Sequence, residues 1–394
     1  VGLPQVFMRI AIVAQNLVYG DGQGRINLEI ARWALRTGAT VVLVSVVVDP
    51  EIIELGARWE QVHVVRKPIL ARVAQFPAIA NRIIDRLRKN DEIDCVIANG
   101  YTLTRPHDVN LSQFVHGAWL QAGKSGWKQM SLLRRTYQSF YTRYNAFHEK
   151  RSFRLAKAIV APSNTTANEV RGIGIDSSKV HVIPNGVDCE EFCPGPKNRA
   201  SLGLPDDVPM AVFAGDIRTN RKGLGSVLQA MVNIPQAHLA VIGRSDGSPF
   251  VQTAKDLGMA DRIHFLGFRK DVPSIMRNCD LFVFPSYYDP FGLVVTEALA
   301  CGIPVVTTAA TGAGELLTDE CGTVVKDPTD IPAITAAMKH WLLNPARRVA
   351  AASACRAIAQ ANGWESMAKQ YLELLPCKQP IKREMAMSNQ PVTI

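Results

Sequence analysis

Strand-like apolar runs alternate with helix-length amphipathic stretches along this chain, and the alternation starts over half-way. The first half opens with RIAIVAQNL, turns through VYGDGQGR and runs into INLEIARWALRTG, where Ile26, Ile30 and Ala34 recur at helical spacing before Gly38; ATVVLVSVVV follows at once. That is a β-α-β unit, and it commits the chain to a parallel sheet. Further strands are predicted at VHVVR, CVIANG, LSQFVHG and AIVAPS. After a Pro-, Gly- and Asn-rich join at VIPNGVDCEEFCPGPKNR the pattern returns as PMAVFAGDI, the basic loop RTNRKG, the helix LGSVLQAMVN, and the strands HLAVIGR, IHFLGF, LFVFPS and IPVVTT. Both halves read as doubly wound α/β domains. The predicted domains are 1–183 and 184–376; the helices of about 345–376 are free to pack back on the first domain, and the aperiodic 377–394 is expected to be disordered. Ligands in such folds bind at the carboxyl ends of the strands, so the expected site is the cleft between the halves.

The 394 residues are 47% hydrophobic, enough for two cores. No apolar run approaches the roughly 20 residues of a membrane span, and VGLPQVFMRIAIVAQN leads into a strand rather than a cleavable signal, which points to a cytoplasmic protein. The cysteines are scattered, and Cys189 and Cys193 have no second pair or nearby histidine to complete a zinc site. The net charge is +9. Between Lys124 and Lys157 nine basic residues stand against one acid, Glu149, interleaved with Trp127, Tyr137, Phe140, Tyr141, Tyr144, Phe147 and Phe153. That segment is either an ordinary solvated helix face or a surface that rests on an anionic membrane. Nucleic acid is not an expected partner, because no other motif supports it.

Three elements could hold a diphosphate. Gly20, Gly22 and Gly24 precede a helix, and both a packed turn and an anion-binding turn remain open there. Arg221 and Lys222 occupy the matching loop of the second half and read either as a solvated pair or as anion ligands. Pro290, Phe291, Gly292, Leu293 and Val294 form a turn into a helix, with backbone amides available. Asp289 reads as the N-cap of that helix, with Glu297 eight positions on and Cys301-Gly302 as its stop. On one helix axis the two carboxylates would lie roughly 12 Å apart, at ~1.5 Å rise per residue, a span that fits a sugar diphosphate and its ribose. Carboxylates suit diols because each oxygen accepts without requiring a donor in return.

PSYYDPFGLVVTEALACGIPVV resembles the E-x7-E signature of the family 4 type of retaining glycosyltransferases, and VIPNGVDCEEFCP resembles their N-G-V-D segment. GDGQGR, VHG with His116, RKG with Arg221 and Lys222, and TGAGELL with Glu315 resemble further pieces of that family. The resemblance, over about 8–375, implies a GT-B fold of two Rossmann-like domains facing across a cleft, with the acceptor on the first and a nucleotide-diphosphate sugar on the second. It implies transfer to a glycan, lipid-linked or cell-envelope polysaccharide acceptor with retained configuration. Arg221, Lys222, Asp289 and His116 would be catalytic. Glu297, Phe291, Gly292, Leu293, Val294, Gly22, Gly24, Arg218 and Glu315 would bind the donor. No metal and no cofactor are expected, since there is no Asp-x-Asp pair, and a UDP-sugar ranks ahead of a GDP-sugar. Two residues depart from the pattern: Asp289 stands in place of a glutamate and Asp216 in place of an arginine. A peripheral location on the inner face of the membrane would follow from the basic segment. The alternatives are a noncatalytic sugar-nucleotide-binding scaffold subunit and a nucleotide-sugar epimerase of the same layout.

Overall fold

The structure is a computed structural model that describes residues 8–20, 22–65, 67–122 and 132–376. In the first domain the order is β1 (Arg9–Val13), β2 (Asn16–Leu17), α1 (Gly22–Arg36), β3 (Thr40–Ser45), β4 (Val47–Val48), α2 (Pro50–Glu54), β5 (Arg58–Gln61) and α3 (Ile69–Lys89). It continues with β6 (Cys95–Asn99), β7 (His107–Leu111), α4 (His116–Ala122), α5 (Leu132–Leu155), β8 (Ala156–Ala161), α6 (Asn164–Gly172) and β9 (Val180–Val182). The second domain runs β10 (Met210–Ala214), α7 (Leu224–Val232), β11 (His238–Ile242), α8 (Phe250–Asp256), β12 (Ile263–Gly267), α9 (Val272–Arg277), β13 (Leu281–Phe284), α10 (Leu293–Ala300), β14 (Val305–Thr308) and β15 (Gly322–Val325). Helices α11 (Ile331–Leu342), α12 (Pro345–Ala361) and α13 (Trp364–Glu373) close the described chain.

Each domain carries one large parallel sheet, ordered β5-β3-β1-β6-β7-β8-β9 in the first and β12-β11-β10-β13-β14-β15 in the second. Strands with helices on both faces bury their side chains on both sides, which is why CVIA of β6 and MAVFA of β10 read as unbroken apolar runs. Strand order reverses between β1 and β6, and again between β10 and β13. The carboxyl ends of those strands are therefore the crevices where loops diverge and ligands fit.

Two predicted strands are corrected. Polar β5 (RWEQ) lies on the sheet edge, where exposed side chains are tolerated, and of the apolar VHVVR that looked like the strand residues 62–65 follow it outside any strand, while Arg66 lies outside the described residues. Strand β7 is HDVNL, not LSQFVHG. Its polar side chains are buried and mostly hydrogen-bonded: Asp108 accepts from Val96 N at 2.8 Å and pairs with Lys157 at 2.8 Å, and Asn110 donates to Gly100 O and to Ser152 Oγ, each at 3.1 Å, although its Oδ1 meets no partner among the described residues. Hydrogen bonding makes burial of such groups affordable, and hydropathy reading misses it.

The chain crosses between domains twice, and the crossings touch as a bridge between Val187 and Gly363. Gly186 is packed so tightly on Trp364 that a Cβ would come within 2.5 Å of its ring. Helix α12 packs on α10 in the second core, while α13 returns to the first, where Met367, Ala368, Tyr371 and Leu375 are buried beside α1. Residues 124–131 of the basic segment, with Trp127, and the stretch 377–394 lie outside the described residues. On α5, Leu132, Tyr137, Phe140 and Phe147 are exposed together with Arg135, Arg143, Arg151 and Arg154, whereas Phe153 is fully buried. Among the described residues no helix is long and apolar enough to cross a membrane.

Candidate active site

The floor of the cleft comes from the loops after β10 and β13. After β10 the chain passes Gly215 and Asp216 to a tight turn, Asn220–Lys222, that ends on Gly223 at φ +84°. A Cβ on Gly223 would lie 2.0 Å from the Pro285 carbonyl, so only glycine lets this turn sit on the β13 loop. Lys222 is thereby aimed inward, its Nζ ion-paired with Asp289 Oδ2 and 5.2 Å from the centre of the Phe284 ring. Both side chains are nearly buried, 14% and 13% exposed. Burial pushes the Lys222 ammonium below the ordinary lysine range against the attraction of Asp289, and Arg221 adds to the lowering. Arg221 is anchored by its backbone carbonyl, which accepts from Ser286 Oγ at 3.0 Å and Tyr287 N at 2.9 Å; its guanidinium donates to Tyr288 O at 3.2 Å. Arg218 is exposed and held by Asp216 at 2.9 Å. Each unexpected aspartate thus faces a cation: Asp216 takes Arg218, and Asp289 takes Lys222.

Asp289 is not the N-cap of α10. The helix begins four residues later, at Leu293, after Gly292 at φ +88°. Asp289 instead bridges to Thr311, its N–H donating to Ala310 O at 2.9 Å and its carbonyl accepting from Gly312 N at 3.0 Å. The Pro-Phe-Gly turn makes this possible, because it lets the carboxylate lie beside Lys222 while the helix starts afresh. The 12 Å estimate along one axis is replaced by a loop and a helix meeting at the cleft.

The first turn of α10 faces the start of α1. Gly22, the first residue of α1, is so close to Leu293 that a Cβ would touch Leu293 Cδ1 at 3.4 Å. Gly24 differs: its missing Cβ would meet Val18 O at 2.7 Å, so it serves the packing of the turn beneath. A cavity of about 230 Å³ lies between, lined by Gly22, Lys222, Asp289, Phe291, Gly292 and Leu293 among others. Two helix amino termini, those of α1 and α10, meet at it. Gln113 and Asn185 close the back of the same cavity, bonded to each other in both directions at 3.1 and 2.9 Å.

Farther along α10, the half-buried Glu297 carboxylate meets no hydrogen-bond donor among the described residues. Burial pushes its pKa up to about 7, and Glu191 adds to this while Arg25 opposes it. Arg25 is itself committed, to Glu29 at 2.7 Å, Asp188 at 3.3 Å and Glu191 at 3.5 Å, and lies over Tyr19. Once ionised, a carboxylate without a partner on the helix whose first turn lines this cavity is suited to a diol.

The first domain contributes His116, the first residue of α4 rather than the end of a strand. Its Nδ1 lies 2.9 Å from Glu149 Oε1, and its backbone N–H donates to Glu149 Oε2 at 2.9 Å. Phe114 stacks edge-on against His116 at 4.9 Å and against Tyr288 at 5.4 Å, so this corner reaches the residue next to Asp289. Glu315 lies in the short turn Gly312–Leu316 and is not among the residues that line the cavity. Its carboxylate accepts from Asn164 N at 2.7 Å, Asn164 Nδ2 at 2.9 Å, and Thr165 N and Oγ1 at 2.8 Å each, across the domain boundary. Burial alone would raise its pKa, but these bonds outweigh it and hold the group ionised. Ser163 and Thr166 both donate to Pro290 O, at 2.9 and 3.2 Å, and Tyr288 OH donates to Glu169 at 2.9 Å. The amino end of α6 therefore clasps the loop that carries Asp289. Of the clasp the sequence marks only Glu315, and as a donor ligand; Glu149 it does not mark, although Glu149 is the lone acid of its basic segment. Among the described residues no group of three or more His, Cys, Asp or Glu side chains is placed to hold a metal ion.

Residues 20–191 match the model of Glycosyltransferase Family 4, and residues 195–359 match Glycosyl transferases group 1. A D-inositol 3-phosphate glycosyltransferase of Xylanimonas cellulosilytica is 32% identical over 234 residues, 55% of this chain and 56% of that protein. The Mycolicibacterium smegmatis enzyme of the same name is 35% identical over 166 residues, 40% of this chain and 38% of its own length. The chain thus spans about half, or less, of the curated relatives it matches. Among solved structures, WaaG, a glycosyltransferase involved in lipopolysaccharide biosynthesis, is similar with a TM-score of 0.75 at 21% identity, over 94% of this chain and 100% of that one. Sucrose-phosphate synthase from Thermosynechococcus elongatus gives 0.76 at 21% identity over 93% and 98%. Anabaena HepE in complex with UDP-glucose gives 0.71 at 21% identity over 93% and 99%. The fold is that of the GT-B glycosyltransferases, and the chain joins a Glycosyltransferase Family 4 domain to a Glycosyl transferases group 1 domain.

Proposed function

We propose that the chain is a retaining glycosyltransferase that moves a sugar from a nucleotide-diphosphate sugar to a hydroxyl of a glycan, lipid-linked or cell-envelope acceptor. The observation that carries this reading is the Lys222–Asp289 pair beside the first turn of α10, with the unpartnered Glu297 farther along the same helix. In the bound state the diphosphate lies against the α10 amides and draws Lys222 toward it. Asp289 accepts from sugar hydroxyls, and Glu297 accepts from the ribose diol. As the C1–O bond breaks, charge collects on the leaving phosphate oxygen, where Lys222 and Arg221 stabilise it. The acceptor oxygen bonds to C1 from the same face, and its proton passes to that phosphate oxygen. No protein nucleophile and no metal ion are needed for this sequence of bonds. A UDP-sugar is the first donor to test, in keeping with the UDP-glucose complex of the similar HepE structure. Inositol phosphates join the acceptors to be tried because the relatives are named for one.

A second reading, a sugar-nucleotide-binding subunit without turnover, is favoured by the ion pairs that occupy Lys222 and Arg218. One experiment separates the two. UDP-, GDP- and ADP-sugars are screened by thermal shift, since a ligand for the native state raises Tm. Nucleoside diphosphate release is then followed with glycan, lipid-linked and inositol phosphate acceptors, with and without excess EDTA. Release that persists in EDTA, with α-configured product from an α-donor, is the expected result. Stabilisation by a donor without release under every acceptor supports the binding subunit, and activity lost in EDTA and restored by magnesium refutes metal independence.

A further inference from the structure

We propose that Glu149 is a positioning residue: it fixes the proton on Nδ1 of His116, so that Nε2 is the ring nitrogen offered to the substrate in the cleft. The proposal rests on the reading just given for the site. Glu149 lies on α5 and is 2% exposed. A carboxylate buried to that degree is costly unless its oxygens are hydrogen-bonded. Both are, and to one residue: Oε2 accepts the His116 backbone N–H and Oε1 faces Nδ1, each at 2.9 Å. An ionised carboxylate only accepts, so Nδ1 must be the nitrogen that carries hydrogen. In the neutral ring this leaves the lone pair on Nε2, which meets no partner among the described residues, and His116 keeps 25% of its side chain exposed. Phe114 packs edge-on against the ring and limits its rotation. The same carboxylate grips ring and backbone, so the orientation of His116 is tied to the start of α4. Phe114 also contacts Tyr288, the neighbour of Asp289, which directs this corner at the cleft. With Nε2 as acceptor, His116 can take a hydroxyl proton of the sugar in a hydrogen bond, and with Nε2 as donor it could not. Fixing a tautomer through the other ring nitrogen is a general way to set histidine function.

Glu149→Gln is the informative change. A glutamine keeps the shape, accepts the backbone N–H through its carbonyl, and donates its amide N–H to Nδ1, which moves the ring proton to Nε2. The ring ¹⁵N resonances of His116, assigned by comparison with His116→Gln, report the tautomer directly in the purified chain above the imidazole pKa. Expected results are Nδ1–H in the wild type and Nε2–H in Glu149→Gln, with kcat lowered about 10- to 100-fold while the donor KM stays within about 3-fold and Tm is nearly unchanged. A wild-type ring protonated on Nε2 overturns the proposal, as does a Glu149→Gln protein with inverted tautomer and wild-type kcat. Should Glu149→Gln fail to fold, the wild-type spectrum still decides the tautomer, and Glu149→Asp, which keeps a carboxylate, is expected to retain Nδ1–H. A wild-type chain that neither binds nor turns over any nucleotide sugar defeats the proposed function instead, and the ring spectra remain the judge of Glu149.

Discussion

Lys222 and Asp289 neutralise each other in a nearly buried pair, so each is incomplete alone: removal of one leaves the other charged in a poor solvent for charge. Lys222→Ala is expected to lower kcat by roughly 10²-fold or more, the effect of deleting one stabiliser of developing charge. Wild-type kcat in the purified variant would remove it from the chemistry. Glu297 makes a different prediction. Its carboxyl titrates near 7 in the folded chain rather than at 4.5, so the folded state holds an extra proton between those values. Stability of the unliganded protein therefore falls as pH rises from 4.5 through 7, and that slope is reduced in Glu297→Gln. Donor affinity runs the other way, rising across pH 7 as the diol acceptor becomes ionised; calorimetric titration from pH 6 to 8 checks it, and a flat profile in the wild type rejects the ribose role. The short signature around Asp289 could be read from sequence because glycine and proline punctuate it. Glu149 could not, because its partner lies 33 positions away and only folding brings a lone acid under a histidine.

Helix α6 begins at the domain boundary with all four of its first amides engaged. Asn164 and Thr165 donate to Glu315 of the other domain, Thr166 to Ser163 Oγ, and Ala167 to Ser163 O. Half of this cap is thus borrowed, and any parting of the domains would leave those amides to water instead of a carboxylate. Close backbone contact completes the clasp: a Cβ on Gly312 would lie 2.0 Å from Pro290 O and 2.7 Å from Ser163. Glu315→Ala is expected to leave the donor thermal shift in place while lowering kcat several-fold and increasing the radius of gyration in solution scattering. An unchanged scattering profile and unchanged kcat would show that the clasp does not hold the closed arrangement. Elements like α1, β10 and β11 were legible because period and burial agree in them. The start of α10 was not, since Asp289 satisfies every local rule for an N-cap and is taken instead by a lysine 67 residues earlier. Likewise, β7 hid behind polar side chains whose partners are distant in sequence.

The two-domain echo in the sequence translates into two parallel sheets whose crevices meet, and the chain passes between the halves in two segments that touch at Val187 and Gly363. On the outside, α5 exposes Leu132, Phe140 and Phe147 among four arginines. We expect this face to adhere to anionic membranes, each basic residue near the surface contributing about 1 kcal/mol. Sedimentation with anionic vesicles at low and physiological salt checks it: a variant with Arg135, Arg143, Arg151 and Arg154 as glutamine should stay in the supernatant, and equal behaviour of both proteins makes the face plain surface. The return of α13 has a further consequence, for the order in which the protein comes into being. The first half of the chain leaves the ribosome without the apolar ridge of Met367, Ala368, Tyr371 and Leu375 that covers α1, so its core stays open until the second half has been made. The second domain, synthesised later, has every helix of its own core up to α12 in hand before that ridge emerges. The half that is born first is the half that finishes last, and a chain ending at Gln360 should bind a hydrophobic dye through an exposed α1 while its second domain remains resistant to protease.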